Sequence, residues 1–147
     1  MRPYIFECLE EANKLFQVGV FTASHKSYAD AILDFIDPEN KLFSFRLYRD
    51  SCLKTHDGYY VKDLRIFHDR SLSDMVLIDN SVYSFAYQIE NGVPIIPFYH
   101  DKNDEELFHL ITYMQGVALV DDVRTYNREA FGLLRLSQKV SIESSFE

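Results

Sequence analysis

Positive charge is the first shortage in this chain. Fifteen lysines and arginines stand against 23 aspartates and glutamates, a formal charge of −8. A nucleic-acid binder draws most of its affinity from phosphates neutralised by a basic face, so DNA and RNA are poor partners for it. Cysteine is also scarce. Cys8 and Cys52 make no disulfide framework and show no Cys-x-x-Cys spacing for zinc, so both read as ordinary thiols in a reducing, intracellular setting. The apolar runs 75–78 and 93–98 fall far short of the ~20 residues that span a bilayer, and no membrane segment is expected. The opening Met1-Arg2-Pro3-Tyr4 lacks the marks of a secretory signal. The histidines His25, His56, His68, His100 and His109 show no ligand-like pairing and read as structural or surface residues. What remains is ordinary globular material: 147 residues suit one domain, and a 47% hydrophobic content suffices for a core.

Two periodicities alternate. Ile5, Leu9, Ala12 and Phe16 recur at helical spacing after Pro3, predicting an amphipathic helix. The run 18–21 predicts a buried strand. Ser24 then reads as an N-cap, and Tyr28, Ile32, Phe35 and Ile36 mark one face of a second helix, which stops before Pro38. Residues 43–48 alternate as a strand with one wet face, and Asp57-Gly58 predicts a turn before a short strand at 59–61. Residues 75–78 form a buried strand ending at Asp79-Asn80-Ser81. Asn91-Gly92 reads as a further turn, and 93–96, with Pro94 inside it, as an edge strand. Asn103 is the expected cap of a helix burying Leu107, Ile111, Met114 and Ala118. Asp121-Asp122 opens another, with Val123, Tyr126, Ala130 and Leu133 or Leu134 inward. The domain is expected over 1–136, with a polar, frayed tail over 137–147. Strands alternating with helices define an α/β architecture with helices on both faces of a sheet.

In such sheets, ligands sit beyond the carboxyl ends of the strands. Three polar clusters fall there. Thr22-Ala23-Ser24 combines a hydroxyl with the N–H groups of a helix start, which suits an anion; it equally suits simple capping. Lys62, in Tyr60-Val61-Lys62-Asp63-Leu64, is a lone cation in an apolar frame, or else a snorkelling surface lysine. Asp79 and Asn80 offer two oxygen ligands at the end of a buried strand, or else a turn. Together the three would suit phosphate with Mg²⁺. Spacing alone leaves function open.

The same segments, in this order, resemble the small C-terminal-domain phosphatases, also called NLI-interacting-factor-like phosphatases, of the aspartate-nucleophile haloacid dehalogenase superfamily. The resemblance runs from about Arg2 to Leu134. It rests on Phe21-Thr22-Ala23-Ser24 with Lys26 and Tyr28-Ala29-Asp30, on Leu47-Tyr48-Arg49-Asp50-Ser51-Cys52, and on residues 60–64. It continues through Leu77-Ile78-Asp79-Asn80-Ser81, Asn91-Gly92-Val93-Pro94, the acidic stretch 101–107 and Val120-Asp121-Asp122-Val123. It implies a three-layer sandwich around a mostly parallel sheet, and a Mg²⁺-dependent aspartyl phosphatase acting on phosphoserine or phosphothreonine in a phosphoprotein or phosphopeptide. By the same resemblance Thr22 holds the transferring phosphoryl group and Lys62 offsets negative charge beside it. Asn80, supported by Asp79, belongs to the magnesium site. Tyr28 and Arg49 face the substrate, and Ser24 is structural.

One departure is large. The family's attacking carboxylate lies in Asp-x-Asp-x-Thr at the end of a central strand, and that motif occurs nowhere in the 147 residues. Losing a covalent nucleophile costs about 10⁶ in turnover in a hydrolase where it has been measured. The chain is therefore expected to be N-terminally truncated and inactive, as a gene-model error, a fragment or a dead relative. The absent strand would lie between those carrying Phe21 and Ile78, so a gap or an unusual pairing is expected there. Its four or five large apolar side chains would contribute about 10 kcal/mol on burial. The alternative reading is a non-enzymatic interaction module of the same fold, for which a mitochondrial inner-membrane translocase subunit is the precedent. The setting is nuclear or cytoplasmic for the first reading and mitochondrial for the second. Open strand edges predict self-association of the isolated chain. Sedimentation should then show dimers or larger species; a clean monomer with one sharp thermal transition would contradict it.

Overall fold

The computed structural model describes residues 1–132; Leu133, Leu134 and the expected tail over 137–147 lie outside them. Among the described residues there are four helices: α1 (Ile5–Leu15), α2 (Lys26–Ile36), α3 (Glu106–Val117) and α4 (Val123–Phe131). Six short strands accompany them: β1 (Val20–Phe21), β2 (Arg46–Leu47), β3 (Leu53–Lys54), β4 (Tyr60–Val61), β5 (Leu77–Asp79) and β6 (Gly92–Pro94).

The strands pair two by two. β1 runs parallel to β2, with Val20 opposite Arg46, and β5 runs parallel to β6, with Ile78 opposite Val93. β3 and β4 form an antiparallel hairpin whose turn places Gly58 at φ 90°, a conformation open to glycine. Among the described residues no ladder joins the three pairs to one another.

Alternation along β5 gives the layers. Ile78 packs on one side against a cluster of Cys8 and Ala12 from α1, Val93 from β6, and Leu107, Leu110 and Met114 from α3. Leu77 packs on the other side with Leu64 and Phe85, beside Phe67, Leu72 and Met75. That second side is covered by 3₁₀ turns at Leu64–Ile66, Leu72–Asp74 and Val82–Phe85. Cys8 is buried and its thiol is pushed up to about 11 by desolvation, so it behaves as a small apolar core residue.

Several local expectations are corrected. On α2, Tyr28, Ile32 and Phe35 are exposed, while Ala29 and Leu33 are buried. Polar anchoring sets that orientation. Arg46 of β2 binds both Asp30 (3.1 Å) and Asp34 (2.8 Å), and the Tyr48 hydroxyl donates to Asp30 at 2.5 Å, turning the adjoining small face inward. Ser24 does not cap α2; His25 occupies that position without a side-chain hydrogen bond. Asn103 is not the cap of α3 either. Arg2 holds Asp104 through two hydrogen bonds (2.9 and 3.0 Å), and Asp104 accepts the N–H of Glu106. In α3, Leu110 and Val117 are buried with the expected Leu107 and Met114, the expected Ile111 packs half-buried against the same cluster, and Ala118 is half-buried; Ala130 of α4 is exposed. Asp122 does cap α4, accepting from the N–H of Arg124.

The turn expected at Asn91-Gly92 is a 3₁₀ turn, Ile89–Asn91, that Gly92 ends. Asn91 is buried at the end of a 3₁₀ turn, and its amide donates to the carbonyls of Leu72 (2.6 Å) and Met75 (2.8 Å). Gly92 opens β6 directly against Phe85: a Cβ there would lie 2.3 Å from Phe85 Cδ2. Because Phe85 is itself buried in the second cluster, it has little room to retreat. Gly92→Ala should destabilise the fold by about 1–3 kcal/mol through overpacking. A lowered urea midpoint at unchanged slope would show it.

Candidate functional site

Three strand ends converge on one cleft. β1 delivers Thr22, whose N–H donates to the Leu47 carbonyl at 2.9 Å, so the parallel pairing with β2 fixes its position. Its hydroxyl oxygen accepts the N–H of Ser24 at 3.1 Å. β4 delivers Lys62 behind the fully buried Val61, and the Lys62 N–H donates to the Ser84 carbonyl at 2.8 Å. β5 delivers Asp79, whose Oδ1 accepts the N–H of Ser81 at 2.8 Å. Thr22, Lys62, Asp79 and Asn80 all line this cleft of about 330 Å³, together with Ala23 and Ser24 just ahead of α2. In the chain these residues are scattered over some sixty positions.

The centre of the cleft is an ion pair between the Lys62 ammonium and Asp79 Oδ2, with the two side chains 9% and 10% exposed. Lys62 is thus not a snorkelling surface lysine. Two charges so far out of water must be paired, and removing one partner of such a pair costs about 3–5 kcal/mol. Thr22 does not cap α2: the N–H that its hydroxyl accepts is that of Ser24, ahead of the helix, and a hydroxyl that accepts still has its own proton to donate. A hydroxyl, an ammonium group and backbone N–H groups near a helix start form a donor set suited to a small anion.

Magnesium fits the cleft poorly. Mg²⁺ demands close to six oxygens in octahedral array. Here Asp79 has one oxygen on Lys62 and the other on an N–H, and Asn80, which is exposed, adds a single amide oxygen. Among the described residues no group of three acidic, histidine or cysteine side chains could hold a metal ion.

Tyr28 and Arg49 are not among the residues lining the cleft. Tyr28 is 65% exposed on α2. Arg49 adjoins residues of the cleft wall: its Nε donates to the Ala23 carbonyl at 2.6 Å, one terminal nitrogen lies 2.9 Å from His25 Nε2, and its guanidinium sits 5.0 Å over the Tyr60 ring. The half-buried Cys52 also lies close, its sulfur 3.7 Å from the Thr22 carbonyl, and burial raises its thiol.

Sequence reasoning missed Asp63, which organises the segment after Lys62. This buried carboxylate accepts from the backbone and guanidinium of Arg65 and from the Gln88 amide at 2.8 Å, while Gln88 in turn accepts the N–H of Leu64 at 2.9 Å. Gln88 is 25 residues away, so no local pattern announces the contact. Tyr59 and Tyr83, which line the cleft, were also missed.

Residues 1–124 match the NLI interacting factor-like phosphatase family, and the chain belongs to that family. It is 44% identical over 135 residues to CTD small phosphatase-like protein 2 of Dictyostelium discoideum, covering 92% of this chain and 23% of that relative. It is 40% identical over 134 residues to CTD small phosphatase-like protein 3 of Caenorhabditis elegans, covering 90% and 46%. Against the human CTD small phosphatase-like protein the identity is 40% over 122 residues, covering 83% and 43%. The chain thus spans less than half the length of these relatives. The fission yeast RNA polymerase II CTD phosphatase Fcp1, solved with beryllium fluoride, shares the fold, haloacid dehalogenase-like, at a TM-score of 0.55 and 21% identity. The match covers 96% of this chain and 40% of that one.

Asp63 gives the site's surroundings a pH dependence. Its hydrogen bonds from the Arg65 side chain, chiefly, hold its carboxyl at about 2, against about 3.9 in an unfolded chain. A depressed folded value means that its contribution is complete above about pH 4 and is lost as pH falls toward 2. Urea titrations between pH 2 and 6 should show stability declining over that window, and Asp63→Asn should flatten this part of the decline.

Proposed function

We propose that this chain is the phosphate-recognising part of a phosphoprotein phosphatase unit, and that it binds a phosphorylated protein segment with the phosphate on the Thr22 hydroxyl and the Lys62 ammonium. The observation that carries this reading is the convergence of Thr22, Lys62 and Asp79 in one cleft from three separate strands. Arg49 stands beside the cleft as a further cation for the substrate, and Tyr28 offers its exposed ring on the neighbouring helix.

Turnover by these residues alone is nearly or wholly absent. The attack on phosphorus in a chemistry of the aspartyl type needs a carboxylate free to act as nucleophile, and the cleft's own carboxylate, Asp79, is held by Lys62 and Ser81. No step is assigned to magnesium, whose ligands the cleft does not complete. In this role Lys62 exchanges part of its hold on Asp79 for the incoming phosphate, and Thr22 orients one phosphate oxygen. Among the described residues β1 and β5 each keep one strand edge outside any ladder, which supports self-association as part of the same reading. A nuclear or cytoplasmic setting goes with it. No helix among the described residues is long and apolar enough to cross a membrane. The relatives named above are phosphatases by name and none is a translocase, so the mitochondrial alternative has no support from them.

Two measurements test this. Turnover of p-nitrophenyl phosphate, with and without Mg²⁺, should stay at background; magnesium-dependent turnover abolished by Lys62→Ala and Asn80→Ala would instead reveal a substitute nucleophile. In calorimetry, a phosphorylated peptide should bind more tightly than its unphosphorylated form. Thr22→Val, which keeps the shape and removes the hydroxyl, should weaken it about tenfold or more, as befits a hydrogen bond to a charged group. Equal binding of the two peptides would refute the reading.

A further inference from the structure

Three tyrosines line the cleft, and they are not equivalent. The Tyr60 ring already carries two cations, Arg49 at 5.0 Å and Lys54 at 5.9 Å. Tyr59 and Tyr83 instead stack on each other, ring centroids 4.0 Å apart and planes 13° from parallel. Among the described residues no cation sits over either ring, and both remain about half exposed (45% and 48%). Aromatic faces carry negative potential, so this pair offers a cation what the Tyr60 ring already gives to two.

Backbone contacts hold the pair in place. Tyr59 closes a tight turn: its N–H donates to the Thr55 hydroxyl at 3.0 Å, and its carbonyl accepts the Thr55 N–H at 2.7 Å. Tyr83 lies in the 3₁₀ turn Val82–Phe85, whose Ser84 carbonyl accepts the Lys62 N–H. A pair ordered in advance loses little side-chain freedom when a flat group settles on it.

The Tyr59 turn also adds negative charge. Asp57 is exposed and, among the described residues, pairs with no basic side chain. The Tyr59 hydroxyl is pushed up from its ordinary value first by Tyr83, then by burial and by the Asp57 carboxylate, which is thus within electrostatic reach of the pair. The chain as a whole carries −8, and a phosphoserine brings about −1.5 to −2 more. A base beside the phosphate offsets that repulsion as the segment approaches.

We infer that the Tyr59–Tyr83 pair and Asp57 form a subsite for a basic residue, arginine above all, that flanks the phosphoserine or phosphothreonine of the bound segment. The phosphate meets Thr22 and Lys62, while the guanidinium lies on the ring pair with Asp57 as its counter-charge. Arginine suits the subsite better than lysine, because its planar group stacks on an aromatic face and is more weakly hydrated. At about 330 Å³ the cleft is near the bottom of the ~300–1,000 Å³ usual for small-group sites. It holds the phosphorylated side chain and leaves the flanking residue to this half-exposed wall. The inference rests on the phosphate reading above and deepens it, since that reading does not distinguish the neighbours of the phosphate.

The test uses the full 147-residue chain and phosphoserine peptides with one arginine placed in turn at each of the three positions before and after the phosphoserine. Each has a glutamine counterpart and an unphosphorylated form, and affinities are read by fluorescence polarisation. At one or two positions arginine should bind about two- to fivefold more tightly than glutamine, the range of a cation–π contact at an exposed site, and lysine there should gain less. Tyr83→Leu, which keeps apolar bulk and removes the ring, should bring the arginine and glutamine peptides together. Tyr59→Phe, which keeps the ring, should preserve the gain. Asp57→Asn, a change that a turn accepts, should reduce it. Circular dichroism checks that each variant is folded. Equal binding of arginine and glutamine peptides at all six positions would overturn the subsite. So would a gain that is uniform along the peptide and survives Tyr83→Leu, which reports only general attraction to an acidic chain. In both cases the phosphate reading stands as long as phosphorylated peptides bind more tightly than their unphosphorylated forms. Loss of that difference brings down the phosphate reading, and this inference with it.

Discussion

The ion pair between Lys62 and Asp79 is the constraint around which the candidate site is arranged. Two opposite charges lie about nine-tenths out of water, an arrangement that survives only because each neutralises the other at contact distance. The pair spans two separate pieces of sheet, the β3–β4 hairpin and the β5–β6 pair, which share no backbone ladder. It therefore does what hydrogen bonding between strands does not do here: it ties the hairpin to the carboxyl end of β5. The Lys62 N–H bond to Ser84 adds a second tie, and Asp63 with Gln88 a third. Every functional reading of the cleft depends on where these ties place the ammonium group.

The same pair sets the limits of the chemistry. An acidic side chain held by an ammonium and a backbone N–H is a poor nucleophile and a reluctant metal ligand, because either role requires giving up a buried partner. A hydroxyl and an ammonium group with neighbouring N–H groups bind anions well without moving a proton. Membership of a phosphatase family is shown by the match over residues 1–124.

Much of the architecture was legible because it is written locally. The alternation of strand and helix, the Asp122 cap, the Asp57-Gly58 turn and the burial of Leu107 and Met114 follow from periodicity and turn chemistry within a few residues. The failures share one cause. The inward face of α2 is set by Arg46 reaching Asp30 and Asp34, the start of α3 by Arg2 gripping Asp104 from 102 residues away, and the place of Asn91 by carbonyls at 72 and 75. Each is a polar contact between distant segments, and no hydrophobic pattern reports it. The candidate site divides the same way: Thr22, Lys62, Asp79 and Asn80 were named from short motifs, while Tyr59, Tyr83 and Asp63 owe their importance to partners elsewhere in the chain.

The sequence by itself determined the residue types available at the strand ends, the acidic balance of the chain and the family to which its motifs point, because these are properties of composition and short-range order. Only the tertiary structure decided that Lys62 is buried against Asp79, that Tyr28 and Arg49 stand outside the cleft, and that two tyrosines form its wall. Burial and pairing are relations between segments that become neighbours on folding, and a charge or a ring acquires its chemical role from those neighbours.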